Sequence, residues 1–242
     1  MCGRFCQKAS LEILKQHFKV NSNDIHSIKT SYNVAPSHMV SSVISISNMR
    51  ELKLMRWGLI PSWAKSISIG SKCINARCET IVEKPAFKQA FYKRRCLIPA
   101  NGFYEWKKTG KNKSPYFFTS LDEQPFAFAG IWDVYTSKKH GIITSLAIIT
   151  TQSNKIVEPI HNRMPVILMP EDYENWLNVS IKNVDEIISL LIPYSEDLMM
   201  GYPVHPCVNN PDYNDPRCIQ KYETPTFKQG SLAFNHEKNK EH

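Results

Sequence analysis

The stretch that decides the fold is residues 95–150, RCLIPANGFYEWKKTGKNKSPYFFTSLDEQPFAFAGIWDVYTSKKHGIITSLAIIT. Five strand-length runs rich in β-branched and aromatic residues recur in it, at 95–98, 103–108, 116–119, 126–135 and 142–150. The second enters a turn at Thr109-Gly110. Short connections between successive strands join antiparallel neighbours, so this half of the chain predicts a mostly antiparallel sheet.

Working outward, 39–47 and 51–57 read as two further strands joined through Asn48. Gly58, Pro61 and Gly70 then punctuate a loop that carries Trp57 and Trp63. Ser10 caps a short amphipathic helix, with Leu11, Leu14 and Phe18 at helical spacing, expected to end near Val20. A second helix starts near Pro85, where proline suits a first turn. Beyond Thr151 the pattern predicts a short helical segment, a strand over 164–169, and a helix over 170–177 with Glu171 and Asp172 in its first turn. A last helix is expected over 184–191, and from residue 224 to 242 the chain is polar and lysine-rich, as a frayed tail would be. With no repeat or linker, the expectation is one α+β domain over 1–223, built on a barrel-like, mostly antiparallel sheet with flanking helices.

Composition narrows the classes of function. Hydrophobic residues make up 42% of the 242, the balance of a globular chain rather than a disordered one. The longest apolar runs, such as 142–149, are too short to span a bilayer, and no basic-then-apolar leader opens the chain, so a cytoplasmic protein without a membrane partner is expected. Seven cysteines are odd in number and irregularly spaced, as in a reducing compartment; Cys73 and Cys78 lack a matching second pair, so neither a metal nor a cofactor is expected. Lys and Arg exceed Asp and Glu by 30 − 22 = 8. Nine basic residues lie between Lys84 and Lys113 against one acid, Glu105, and aromatics from Phe87 to Trp106 interleave with them. That mixture suits a nucleic-acid groove, and it equally suits a solvated face beside a core.

The N-terminus reads Met1-Cys2-Gly3-Arg4. A small second residue permits removal of the initiator methionine, which would leave Cys2 with a free α-amine beside its thiol. An α-amine titrates at about 7.7–8.0, so roughly a tenth is the nucleophilic free base at neutral pH. It can condense with an aldehyde to an imine, and the neighbouring thiol can close onto the imine carbon as a five-membered thiazolidine.

Six blocks in order make the chain resemble the SOS response-associated peptidase (SRAP) family: Met1-Cys2-Gly3-Arg4, Tyr32-Asn33-Val34-Ala35-Pro36, Arg56-Trp57-Gly58-Leu59-Ile60-Pro61, Ile74-Asn75-Ala76-Arg77-Cys78-Glu79-Thr80, Gly102-Phe103-Tyr104-Glu105-Trp106 and His161-Asn162-Arg163-Met164-Pro165. The resemblance implies an enzyme that crosslinks itself through the N-terminal cysteine to abasic sites in single-stranded DNA, with a peptidase activity chiefly on its own initiator methionine.

By the same resemblance, Asn75 hydrogen-bonds the opened sugar or the Cys2 adduct, and Arg77 grips a flanking phosphate. Their spacing of two places both on one face of an extended segment. Glu105 becomes the catalytic carboxylate beside the Cys2 amine, and His161 the acid/base at the sugar oxygen. Arg163 is a further phosphate contact by the resemblance. Arg4 is expected at the DNA backbone because it lies two residues from Cys2, and Trp106 beside the site because it follows Glu105. The partner is single-stranded DNA bearing abasic sites, engaged by a monomer. Two other readings stay open on the residues alone: a cysteine peptidase with Cys2 as thiolate and His161 as base, and a non-catalytic reader of modified bases.

Overall fold

In the computed structural model, residues 2–21, 25–181 and 183–223 are described; the expected tail at 224–242 lies outside the described residues. The elements run β1 (Phe5–Gln7), α1 (Leu11–His17), β2 (Ser31–Val34), β3 (Met39–Ile46), β4 (Met49–Trp57), β5 (Asn75–Arg77), α2 (Pro85–Lys93), β6 (Arg95–Ala100), β7 (Gly102–Thr109), β8 (Asn112–Ser120), β9 (Phe126–Ser137), β10 (Gly141–Gln152), β11 (Arg163–Pro165), β12 (Ile167–Leu168), α3 (Tyr173–Leu177), α4 (Val184–Ile188) and β13 (Met199–Pro203).

Five strands close into a barrel in the order β10-β4-β3-β6-β9, with β9 pairing back to β10. The β3–β4 hairpin turns through Ser47 and Asn48 at φ 49° and 62°, a turn whose twist matches that of the flanking strands. The β9–β10 hairpin keeps its register from Gly141↔Ser137 to Ile148↔Gly130. Closure is made by a parallel contact, Ser145↔Arg56 between β10 and β4. Farther along, β10 takes β5 in parallel at Ile148↔Asn75 and β11 antiparallel at Gln152↔Arg163. A second, antiparallel sheet runs β13-β8-β7-β1-β2. The barrel-like α+β expectation therefore holds, with parallel pairings where the barrel closes.

One apolar core includes Phe5, Trp57, Phe128 and Ile148, with Cys2 among them at 0% exposure. A second places α1, α2 and α3 on the barrel exterior through Leu14, Phe18, Phe91, Trp176 and Leu177. Each of these large side chains contributes about 1.5–3 kcal/mol by leaving water.

Local differences from expectation have local causes. The first helix ends at His17 rather than near Val20, because Lys19 turns left-handed at φ 50°. The segment after Gln152 forms turns, with Asn154 accepting from the Val157 amide, instead of a helix. The strand expected over 164–169 is split into β11 and β12, and the expected 170–177 helix begins as a 3-10 turn over Pro170–Asp172. The last helix stops at Ile188.

The basic, aromatic window separates by burial. Phe91, Phe103 and Tyr104 are core. Arg95 is buried, donating to the carbonyls of Trp176, Phe91 and Asn178, and Arg94 pairs with Asp133 at 3.0 Å. Lys107, Lys108, Lys111 and Lys113 remain exposed on the β7–β8 hairpin.

Candidate active site

Strand β1 determines where Cys2 lies. Its antiparallel pairing Phe5↔Phe103 runs the residues before Phe5 alongside those after Phe103, which brings Cys2 to the Glu105 and Trp106 end of β7. From the opposite side, β5 delivers Asn75, whose Nδ2 donates to the Cys2 carbonyl at 2.7 Å. The Cys2 thiol donates to the Arg4 carbonyl at 3.7 Å.

Glu105 is 4% exposed, and burial raises the pKa of its carboxyl. Burial likewise pushes the Cys2 thiol far above its ordinary value, and the Glu105 carboxylate adds to the rise. Burial of this kind disfavours the thiolate that an activated peptidase cysteine uses.

His161 follows the Val157–Ile160 turns and precedes β11. Its Nδ1 lies 3.0 Å from the main-chain N–H of Arg163, from which it can accept, and 3.3 Å from the Arg163 carbonyl, to which it can donate when protonated. Burial lowers its pKa, with Lys108 and Arg163 contributing in the same direction. His161 joins two adjoining cavities. One, of about 420 Å³, is lined by Glu105, Trp106, Lys108, Lys113, His161 and Asn209. The other, of about 670 Å³, has Arg77, Gln152, Glu158, His161 and Arg163 in its wall.

The structure thus brings Cys2, Asn75, Glu105 and His161 to one place, although the first and last are 159 positions apart. Arg77 stands exposed in the wall of the larger cavity and, with Asn75, lines a further hollow of about 520 Å³ beside Lys72 and Lys84. Trp106 is half-buried, with Nε1 donating to Asn209 Oδ1 at 2.7 Å. Arg4 is engaged within the protein: Nη1 donates to Asn33 Oδ1 at 2.7 Å and to the Val208 carbonyl at 2.8 Å, and its guanidinium lies 5.9 Å from the Trp106 ring centre. Arg163 is also engaged, by both carboxylate oxygens of Glu79 and by the Thr150 carbonyl at 2.7 Å.

Sequence reasoning missed Asn209 and Glu158 in these walls, and did not single out Lys108 and Lys113 within the basic window. The hairpin lysines had a signal, since Lys108 follows Glu105 by three residues and Lys113 is its direct partner across the turn. Asn209 had none, because a turn near the C-terminal end reaches Trp106 only through the fold. Among the described residues, no group of three or more His, Cys, Asp or Glu is placed to hold a metal ion, and no helix is long and apolar enough to cross a membrane.

Residues 1–211 match the family described as SOS response associated peptidase (SRAP). The abasic site processing protein YoqW of Bacillus subtilis (strain 168) is 40% identical over 227 residues, spanning 92% of this chain and 100% of that protein. The abasic site processing protein HMCES of Xenopus tropicalis is 29% identical over 227 residues, spanning 81% of this chain and 67% of that protein. A crystal structure of a protein from Bacteroides thetaiotaomicron superposes with a TM-score of 0.84 at 32% identity, covering 92% of this chain and 100% of that one. Another, from Bordetella bronchiseptica, gives 0.73 at 26% identity, covering 84% and 100%. With the family pattern spanning the barrel and the second sheet, this chain belongs to the SOS response-associated peptidase family.

Proposed function

We propose that this protein processes abasic sites in single-stranded DNA by forming a covalent crosslink through Cys2. The observation that carries the proposal is the convergence of the Asn75 amide, the buried Glu105 carboxyl and the His161 ring at the Cys2 end of β7. The printed names of the relatives, abasic site processing proteins, support the lesion as substrate.

Removal of Met1 comes first and gives Cys2 a free α-amine. That amine attacks the aldehyde carbon of the ring-opened deoxyribose, and loss of one water leaves an imine. The thiol then adds across the C=N bond: sulfur bonds to carbon, the S–H proton goes to nitrogen, and a thiazolidine closes. Glu105 takes and returns the amine's protons. His161 donates from Nε2 to the sugar ring oxygen as the ring opens, and Asn75 holds the Cys2 carbonyl so that amine and thiol face one carbon. Arg77 and the hairpin lysines meet the phosphates, and Trp106 borders the lesion. One copy of the chain carries the whole site, and the chemistry uses no cofactor; the protein would act at DNA in the cytoplasm. The raised thiol pKa favours this amine-first order over a thiolate peptidase.

The test is incubation of protein whose mass confirms loss of Met1 with a single-stranded oligonucleotide bearing one abasic site. A denaturation-resistant adduct on the Cys2 peptide, absent with intact oligonucleotide, is expected. Fully processed protein that yields no adduct refutes the proposal. Cys2→Ser and Cys2→Ala retain an α-amine, so they should give no stable product, only an imine that borohydride traps.

A further inference from the structure

The chain after β13 makes a loop that closes on itself. Val204 and Lys221 form an antiparallel bridge, and the Tyr222 N–H donates to the Pro203 carbonyl at 2.9 Å. Inside the loop lie two 3-10 turns, Pro206–Asn209 and Pro216–Ile219, that pack against each other. Cys207 follows Val204 by three residues and Cys218 precedes Lys221 by three, so both stand at the same offset from the bridge. Equal offsets from an antiparallel bridge face each other across the two segments.

The two thiols interact directly, in a small apolar cluster with Cys6, Tyr104, Phe117, Val204 and Val208. Cys218 is buried, whereas Cys207 is half-buried and reachable from solvent. Main-chain bonds hold both in place: the His205 ring accepts from the Cys207 N–H at 3.0 Å, and the Asp215 carbonyl accepts from the Cys218 N–H at 3.0 Å. The loop also borders the candidate active site. The Val208 carbonyl accepts from Arg4 and Asn33, and Asn209 Oδ1 accepts from Trp106 Nε1 at 2.7 Å in the wall of the cavity that Glu105 and His161 share.

We propose that Cys207 and Cys218 are a redox pair, which a low-molecular-weight disulfide oxidises to an intramolecular disulfide that fixes the 204–221 loop in the shape bordering the candidate active site. The pair is independent of the crosslinking function proposed above. Cys207 gives its proton to solvent and its sulfur attacks one sulfur of the reagent; that S–S bond breaks and one small thiolate leaves. The Cys218 sulfur then attacks the Cys207 sulfur of the mixed disulfide and expels the second small thiolate, which takes the Cys218 proton. Two protein thiols are oxidised, and the reagent disulfide is reduced to two thiols. Burial raises the Cys218 pKa, so the reachable Cys207 opens the exchange and Cys218 completes it at close range.

The experiment treats the folded, full-length protein with oxidised glutathione and blocks the remaining thiols with iodoacetamide before unfolding. Intact mass, peptide linkage and amide hydrogen exchange are then read. The expected result is loss of two hydrogen atoms, a peptide joining Cys207 to Cys218, and exchange over 205–219 slowed about tenfold, all reversed by dithiothreitol. Cys207→Ser, a change of one atom at a half-buried position, should show neither the linkage nor the slowing. Cys218→Ala should stop at glutathione held on Cys207.

Wild type that takes up glutathione without closing the bond, that joins Cys6 to Cys218 instead, or that does not react overturns the proposal. A Cys207–Cys218 bond that leaves exchange over the loop unchanged refutes its role in fixing the loop.

Discussion

The side-chain amide of Asn75 donates to the main-chain carbonyl of Cys2 at 2.7 Å, a bond between residues 73 positions apart. It ties the short first strand of the second sheet to the edge of the barrel, where β5 pairs with β10. Asn75 Oδ1 is buried without a hydrogen-bond partner among the described residues, an acceptor available to a hydroxyl brought in by substrate.

Asn75→Leu should leave the Cys2 carbonyl unpaired and cost about 1–3 kcal/mol of stability, read by urea unfolding. Crosslinking should fall about 100-fold, because the amine and thiol lose their fixed direction. A normal single-turnover rate from a folded Asn75→Leu protein would remove Asn75 from the mechanism.

Glu105 should trade stability for function. Its folded pKa is raised by burial, so its contribution to stability is fully present below the unfolded value, about 4.3, and is lost as pH rises through the folded value. Glu105→Gln should therefore melt higher than wild type at pH 7 while crosslinking at least about 100-fold more slowly. The difference in melting temperature should shrink on acidification toward pH 4. A melting point lower than wild type at pH 7 would contradict the sign.

The limb of the crosslinking rate on which His161 must be protonated to donate should lie below pH 6.5, with the rate falling as pH rises through it, because burial lowers its folded pKa. By linkage, His161 favours the folded state above its unfolded pKa, and that advantage is lost as pH falls through 6.5 toward the folded value. His161→Gln should abolish this limb, which a pH–rate profile under single-turnover conditions would show.

Two arginines expected at DNA should behave differently. Arg77 is exposed, so Arg77→Ala should leave unfolding unchanged, weaken binding to any single-stranded sequence, and lower the salt slope by about 0.7. Arg4→Ala removes donors to Asn33 and Val208 and should cost about 1–3 kcal/mol, measured by urea unfolding. If Arg4→Ala is as stable as wild type, the bonds to Asn33 and Val208 are not structural.

Gly102 opens the strand that bears Glu105, and a Cβ there would lie 2.2 Å from Phe117 Cζ and 2.6 Å from the Phe118 carbonyl. Gly102→Ala should destabilise by about 1–3 kcal/mol through overpacking and slow crosslinking by shifting β7. Thermal melting and the crosslinking rate should move together.

Much of this protein was legible in local pattern. Alternation and turn chemistry marked β3, β4 and β6 to β10, since a strand with one face buried repeats every two residues whatever surrounds it. The short strands β1, β2, β5 and β13 escaped notice or read only as extended segments, because runs of three to five residues carry little periodicity and form only when a neighbour supplies the ladder. For the candidate site, ordered motifs singled out Cys2, Asn75, Glu105 and His161, which the fold brings together. Position beside Cys2 did not foretell that the Arg4 guanidinium turns inward to Asn33 and Val208.

By itself the sequence determined the chemical inventory: a cysteine able to become an N-terminus, one acid amid nine cations, and a strand-rich chain. Only the tertiary structure decided which of those groups meet, how deeply Glu105 is buried, and that Arg163 bonds Glu79 while Arg77 stays exposed. The physical reason is that pKa, burial and hydrogen-bond partners depend on atoms a few ångströms away, and here those atoms come from strands scores of residues apart.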